Sequence, residues 1–475
     1  MADDDNRPKF RGWPKTAQAH NVVKSAHKMV KNAQEMEAAG TDMETLPYSV
    51  AVPDLRRKPD LEYKSKVKLH GTNAGICGWV PTDGEGGSVV GPEGVGVVGM
   101  SRKRFLWAES QDNDGFRDTW LAKTTPFWQA FFGSLPPAMG LDPEGSAPLA
   151  QGEGVPANSA DGFRRVEVFG EWAGAGIQKA TTAVCQIPHH LYAIFALRFQ
   201  AANGRRYIVA EPDTLQGFLD AAAEASGIAI PDEVRVLPWH VPDEEVASRV
   251  AEEVAAMPDM VNAEGQEAGR AFLASGVMVV DLNSKIATRS ALAVLSSLVE
   301  TIDDVDPWCK SEFGIEGNGE GLVLYPVSLQ VAPGETPGCE FPHFHSQTIA
   351  SYFFKAKGKS HRGTLTSAAA TFEITSFGSA QEMVGYFVTV PRLYQGRATV
   401  ADNTFDPEHQ DAFVDWFVHD ILTESADERA ANPGIDETFF LKLVRERATE
   451  WYASEGATMH KPQKKGGRKG RRKKK

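Results

Sequence analysis

The sequence predicts an α+β protein: a mixed domain to about residue 359, then a helical domain, then a basic tail. Three observations carry that reading. Short β-rich runs mix with helical patterns between Tyr48 and Lys359, apolar spacing near 3.6 dominates afterwards, and the last fifteen residues are mostly Lys, Arg and Gly. The expected segments are a helical extension over 1–45, the mixed domain over 46–359, a helical domain over 360–455 and a disordered basic tail over 456–475.

Residues 1–45 are polar and helix-prone, with Val22, Val23, Met29 and Val30 loosely spaced as one face. LEYKSKVKLHG then alternates, putting Lys64, Lys66 and Lys68 on one face and Tyr63, Val67 and Leu69 on the other. A Gly-rich stretch after Trp79 reads as a hairpin or loop insertion before GMSRKRFLW, and the run from Gly133 to Gly162 reads as a mobile surface loop. RRVEVFGEW and LYAIFALRF are strands. Helices are expected around Asp213–Ala225, Asp243–Ala256 and Thr288–Thr301, each opening near Asp, Thr or Ser. GEGLVLYPVSLQV and IASYFFKAK read as strands, and SAQEMVGYFVTVPRLYQG, EHQDAFVDWFVHDILTESA and ETFFLKLVRERATEWYA as helices.

A chain of 475 residues with 42% hydrophobic and 24% charged residues can bury a large core in two or three domains. No apolar run approaches the length of a membrane span, the acidic start MADDDNRPKF lacks a secretory core, and no membrane partner is expected. Four dispersed cysteines without a CxxC pair fit a reducing compartment. The expected location is intracellular and cytoplasmic; in a eukaryotic cell the basic tail would also suit a nuclear address. Ten of the 50 basic residues lie between Lys461 and Lys475, leaving 40 against 63 acidic side chains in the body. An acidic body with a basic end suits a nucleic-acid tether, and equally a tail that only aids solubility.

Four short segments carry chemistry. Lys68-Leu69-His70-Gly71-Thr72-Asn73 places a lysine at a strand end before a turn whose glycine lets backbone approach a ligand. Such a lysine is a nucleophile when deprotonated, a state that burial or neighbouring cations favour. Phe169-Gly170-Glu171 sets a carboxylate at the end of a buried strand, suited to accepting hydrogen bonds from ribose. Glu320 leads into an apolar strand, where a hard oxygen suits magnesium on a nucleotide phosphate. Lys355 and Lys357 fall on one strand face and can aim two cations at one phosphate. Read singly, Glu171 could be a solvated strand end and the KxK pair an edge-strand solubility device. Cys339, His343 and His345 have no standard zinc spacing, His189-His190 has no partner cluster, and the Gly-rich stretch lacks a P-loop signature.

In order, these segments resemble the covalent nucleotidyltransferases, most closely the RNA ligase 2 family that includes the trypanosome editing ligases. KLHGTN is similar to motif I, VFGEWAGAGIQ to motif III, Phe195 in YAIFAL to the adenine-stacking aromatic, EGLVLYP to motif IV and KAK to motif V. The resemblance implies an adenylation domain of antiparallel sheets flanked by helices, followed by an all-α domain. YFVTVPRLYQG and FVDWFVHDILTE resemble segments of that domain.

By the same resemblance, Lys68 is the nucleophile that takes AMP from ATP, and His70 and Asn73 line the phosphate and ribose side. Glu171 holds the ribose hydroxyls, Phe195 covers adenine, Glu320 helps place Mg2+ (with Mn2+ as a substitute), and Lys355 and Lys357 neutralise the α-phosphate. Arg102, preferred over Arg104, is the expected arginine between motifs I and III. The implied activity is ATP-dependent joining of RNA 5′-phosphate and 3′-hydroxyl ends, by an enzyme expected to be a monomer. The Gly-rich insertion, the long interval between motifs IV and V and Val67 before the nucleophile depart from the family pattern. The rivals are a DNA ligase or capping-type transferase, and a non-catalytic nucleic-acid-binding protein on a ligase scaffold.

Overall fold

The protein is described by a computed structural model. It covers residues 60–81, 95–136, 163–178, 182–200, 205–256, 263–282, 284–358, 379–388, 405–425 and 434–459, with scattered positions elsewhere, including much of 10–30. The Gly-rich insertion at 82–94, most of the long loop before Phe163, the junction at 361–378 and the basic tail lie outside the described residues. The chain divides into two compact units, Met1–His361 with Ser367–Ala369, and Arg362–Thr366 with Ala370–Lys475.

The first unit is α+β, with two largely antiparallel sheets. One has five strands in the order β1 (Ala17–Gln18), β13 (Phe354–Lys357), β11 (Gly321–Pro326), β2 (Asp60–Val67) and β10 (Val277–Asp281). Only β1 joins its neighbour in parallel. The other sheet runs β12 (Phe344–His345), β8 (Arg206–Val209), β7 (Leu191–Gln200), β6 (Phe163–Ala173), β3 (Thr72–Pro81), β4 (Gly96–Ser101) and β5 (Phe105–Leu106), with β9 (Val234–Val236) added in parallel to β7.

Strand alternation sorts each sheet into two faces. One face of the larger sheet is sealed by an aromatic layer from the segment Phe116–Ser134: Phe116, Trp120, Phe127, Trp128, Phe131 and Phe132 pack with Trp172 and Tyr192. Burying each such ring stabilises the fold by about 1.5–3 kcal/mol. The smaller sheet is backed by the helix Lys285–Asp304, which lies over β10, β11 and β13. The two remaining faces meet through a cluster that includes Ala196, Ile208, Tyr325 and Phe353, with Phe195 and Val323 against it.

The expected helices lie at Pro212–Ser226, Glu244–Ala255 and Lys285–Asp304, the second capped by the Asp243 carboxylate on the Val246 N–H and the third by Ser284 on Ala287. Two readings are corrected. The first half of IASYFFKAK belongs to a helix, Ser346–Tyr352, because buried Thr348, Ile349 and Tyr352 recur at helical rather than alternate spacing. Likewise, GEGLVLYPVSLQV leaves its strand at Pro326 for a 3-10 turn over Val327–Leu329.

Several helices were not foreseen, among them the short Pro307–Phe313 opened by the Asp306 cap, Ala122–Ser134 and Ala263–Ser275. Ala122–Ser134 contains Pro126 and two β-branched threonines, a poor local propensity that the aromatic packing overrides. Ala263–Ser275 is rich in Ala and Gly; at Gly269 an added Cβ would lie 2.8 Å from Val294 Cγ2, so the glycine permits close helix packing.

The described elements of the second unit are helical: Ala380–Phe387, Gln410–Glu424 and Glu437–Met459, with a short 3-10 turn at Pro407–His409. Phe413, Phe417 and Ile421 pack with Phe440, Val444, Ala448 and Tyr452, the i, i+4 spacing of facing helices. The Tyr452 hydroxyl donates to the Asp406 carbonyl at 3.0 Å, fastening the last helix to the entry of the one before it.

Candidate nucleotide-binding site

The site forms where β2, β11 and β13 lie side by side. β11 is central, with Val323 level with both Lys66 on β2 and Lys355 on β13, and Gly321 level with Lys357. The Lys68 N–H donates to the Gly321 carbonyl at 2.8 Å, continuing the ladder one step past β2. Lys66, Lys68, Lys355 and Lys357 therefore share one sheet face in two rows, separated by Val323 and Gly321. At Gly321 φ is +138°, and a Cβ would stand 2.1 Å from the Ala356 carbonyl oxygen, so only glycine fits between the two front lysines.

Glu320, just before β11, joins the front row. Its Oε2 accepts from Lys68 Nζ at 2.5 Å and its Oε1 lies 2.6 Å from Lys357 Nζ, while His70 Nδ1 is 3.5 Å from Oε2. The carboxylate is 5% exposed, and the two lysines are 24% and 23% exposed. Burial opposes the charge on Glu320, but the Lys68 and Lys357 ammonium groups hold its carboxyl well below the usual range. Burial also pushes the Lys357 ammonium down, against the attraction of Glu320; Lys68 and Arg102 add to the lowering.

The opposite wall comes from the larger sheet. Glu171 on β6 is level with Asn73 on β3, and its Oε1 accepts from the Gly71 N–H at 3.2 Å. Burial raises the Glu171 carboxyl to about 7, although Lys68 pulls the other way. The site thus holds two unlike carboxylates: Glu320 fixed as an anion by two cations, Glu171 titrating near neutrality. Gly71 is pressed onto β6, where a Cβ would stand 2.5 Å from the Trp172 carbonyl oxygen and 2.8 Å from Glu171 Cγ. The far side of the turn is held by Gln178 Nε2 donating to the Gly71 carbonyl at 3.3 Å.

Lys68, His70, Glu171, Glu320 and Lys357 are thus linked by contacts, and Asn73 and Lys355 are placed beside them by strand register. Arg102 is exposed in the turn between β4 and β5, near enough for its charge to act on Lys357. Arg104 is exposed in the same turn. Phe195 is half-buried on β7, with the Trp13 ring centroid 5.1 Å away at 70°.

Three contributors were not singled out by sequence reasoning. Lys66, recognised as sharing the face of Lys68 but not as a site residue, is 1% exposed and donates to the Phe195 carbonyl at 3.0 Å. Its Nζ lies 4.9 Å from the Trp239 ring centroid, and burial lowers its ammonium to about 7. Asn113 receives the Thr72 hydroxyl at 3.2 Å and donates to the Asn73 carbonyl at 3.4 Å, bracing the start of β3. Trp13 is the third. Alternation flagged Lys66; nothing in the sequence flags the other two.

Lys68, Lys355 and Lys357, with the Arg102 charge acting on Lys357 and the carboxyl groups of Glu171 and Glu320 beside them, can hold a polyanion and present one amine, Lys68, to it. As a metal centre the donor set fits poorly, because both Glu320 oxygens face ammonium groups and a divalent ion there would displace a lysine. Among the described residues no group of three or more His, Cys, Asp or Glu side chains could hold a metal ion. His343 is buried with Nε2 2.8 Å from the Thr336 hydroxyl and Nδ1 2.9 Å from the Phe341 carbonyl, so both ring nitrogens are already used. Among the described residues no helix is long and apolar enough to cross a membrane. Comparison with known proteins finds no family model that matches the chain and no curated protein similar to it.

Proposed function

We propose that the protein is an ATP-dependent RNA ligase that works through a lysyl-adenylate on Lys68. The observation that carries the reading is Glu320 gripping Lys68 and Lys357 at once, with Glu171 on the opposite wall. A lysine whose amine is oriented by a carboxylate, flanked by further cations and facing an acceptor for sugar hydroxyls, suits attack on a nucleotide phosphate.

In the first step the unprotonated Lys68 amine attacks the α-phosphorus of ATP. A P–N bond forms, the P–O bond to the β-phosphate breaks, pyrophosphate leaves and the amine loses a proton. Lys355, Lys357 and Arg102 offset the charge growing on the phosphate oxygens, while Glu171 and Asn73 orient the ribose and Phe195 stacks on the base. His70, against Glu320, keeps the Lys68 turn in place.

The AMP then passes to an RNA 5′-phosphate, forming a phosphoanhydride and freeing the Lys68 amine. A 3′-hydroxyl attacks that end, forms the phosphodiester and expels AMP. Mg2+, or Mn2+ in its place, would arrive on the phosphates of ATP and shield their charge; no protein-only metal site is invoked. The helical unit and the basic tail would grip RNA phosphates, and discrimination from DNA would require contact with a 2′-hydroxyl.

The test is intact mass after incubation with ATP and Mg2+, for the wild-type chain and for Lys68→Ala. A gain of one AMP, absent in the variant, is expected. Failure to gain mass from ATP, GTP or NAD, with pre-adenylated protein excluded, would overturn the reading.

A further inference from the structure

We propose that Trp13 is a nucleobase-contacting residue and that, with its described neighbours Phe10, Gly12, Ala17 and Gln18, it walls the base end of the nucleotide site. The inference rests on the nucleotide reading of the site and adds to it a residue from outside the adenylation segments.

Trp13 touches aromatics from both sheets. Its ring lies 4.9 Å from Phe169 on β6, 5.1 Å from Phe195 on β7, and 5.8 Å from Phe353, which leads into β13. With three ring neighbours it is still only half-buried. Along β6, Phe169 precedes Glu171 by two residues on the same face, a step of about 7 Å. That is close to the span between a ribose hydroxyl and the middle of its base, so Trp13 stands where the base end of a nucleotide held by Glu171 would reach. Trp13 and Phe195 meet at 70°, forming an aromatic corner. A planar heterocycle can stack on one ring of such a corner and meet the other edge-on, both favourable geometries.

These neighbours are docked on both sides of Trp13. Gly12 lies so close to the β4–β5 turn that a Cβ would stand 2.8 Å from the Arg102 carbonyl oxygen. The Gly12 carbonyl accepts from Arg198 Nη1 at 3.1 Å, and that guanidinium is paired with Glu167 at 2.6 Å and lies 4.9 Å from the Phe169 centroid. Beyond Trp13, β1 runs alongside β13 with Ala17 level with Phe354 and Gln18 level with Lys355. Trp13 and these neighbours therefore touch the Arg102 turn, Phe195 and the Lys355 strand, three positions assigned to the nucleotide. The chemistry they favour is a flat aromatic base.

The experiment compares full-length wild type with Trp13→Phe, Trp13→Leu and Trp13→Ala by calorimetry, using α,β-methylene ATP, which cannot lose pyrophosphate, and inorganic tripolyphosphate, which has no base. Thermal melting checks folding, and Trp13→Leu, which keeps apolar bulk, serves if the alanine variant does not fold. Expected is about a tenfold rise in Kd for the ATP analogue in Trp13→Leu and Trp13→Ala, little change in Trp13→Phe and none for tripolyphosphate in any variant. Equal losses for both ligands, no loss in a folded variant, or tighter ATP-analogue binding (a plug rather than a wall) would overturn the proposal. AMP-adduct mass on the same wild-type sample separates the two ideas: adduct formation with Trp13 silent sinks only this one, and absence of adduct sinks the nucleotide reading beneath it.

Discussion

Lys66 and Lys68, two residues apart on one sheet face, end in opposite surroundings. Lys68 Nζ meets the Glu320 carboxylate at 2.5 Å, whereas Lys66 Nζ is buried against the Phe195 carbonyl at 3.0 Å and the Trp239 ring. One lysine is presented to the cleft and the other is spent joining the two sheets beneath the Phe195 strand.

Lys66 gives stability a specific pH dependence. An ordinary lysine titrates near 10.5, and burial lowers Lys66 to about 7. Between those values the unfolded chain carries a proton that the folded chain lacks, so the native state gains stability as pH rises. The stability of wild type minus that of Lys66→Met should increase by on the order of 4 kcal/mol between pH 7 and 10.5. Urea unfolding at several pH values reads it, and a pH-independent difference would refute the assignment.

Glu171 acts in a lower window and with the opposite slope. Its carboxyl is raised to about 7 from an ordinary 4.5, chiefly by burial. Between pH 4.5 and 7 the folded chain holds a proton that the unfolded chain has lost, so stability falls as pH rises and the deficit is complete above 7. Glu171→Gln should therefore be more stable than wild type above pH 7, by about 2 kcal/mol after allowance for partial solvent access, with no advantage below pH 4.5. The same variant should form the AMP adduct more slowly. A stability gain independent of pH would show that Glu171 is not the titrating group.

Much of the site could be read from the chain because its residues sit at element boundaries with strong local signals. Lys68 follows an alternating strand, Glu171 lies two residues before the end of another, and Glu320 precedes an apolar run. What could not be read depends on register between distant strands. That Glu320 would take both Lys68 and Lys357 requires β11 to lie between β2 and β13, a pairing across more than 250 residues that no local pattern encodes. Trp13 escaped for the same reason, since its contacts come from β6, β7 and the approach to β13. The last four residues of the helix Ser346–Tyr352 read as strand because the apolar run they open is short enough to suit either period.

Gly71 tests how tightly the turn after Lys68 is held. A methyl group there meets the Trp172 carbonyl oxygen and Glu171 Cγ, so backbone or Glu171 must shift. Gly71→Ala should cost about 1–3 kcal/mol of stability and should weaken ATP-analogue binding. Thermal melting and calorimetry measure the two effects. Unchanged values for both would mean that the turn has room the present geometry denies it.

The basic tail should affect RNA and leave adenylation alone. Ten cations between Lys461 and Lys475 can release counterions from a polynucleotide, and each phosphate contact adds about 0.7 to the salt slope for single strands. Deleting residues 461–475 should weaken RNA binding at low salt and flatten log K against log [salt], by at most about 7 if every cation engages. AMP-adduct formation without RNA should be unchanged, because the groups around Lys68 come from strands and turns of the first unit. Filter binding across a salt series and intact mass separate the two readouts. An unaltered salt slope would leave the tail a solubility device and return RNA affinity to the folded units.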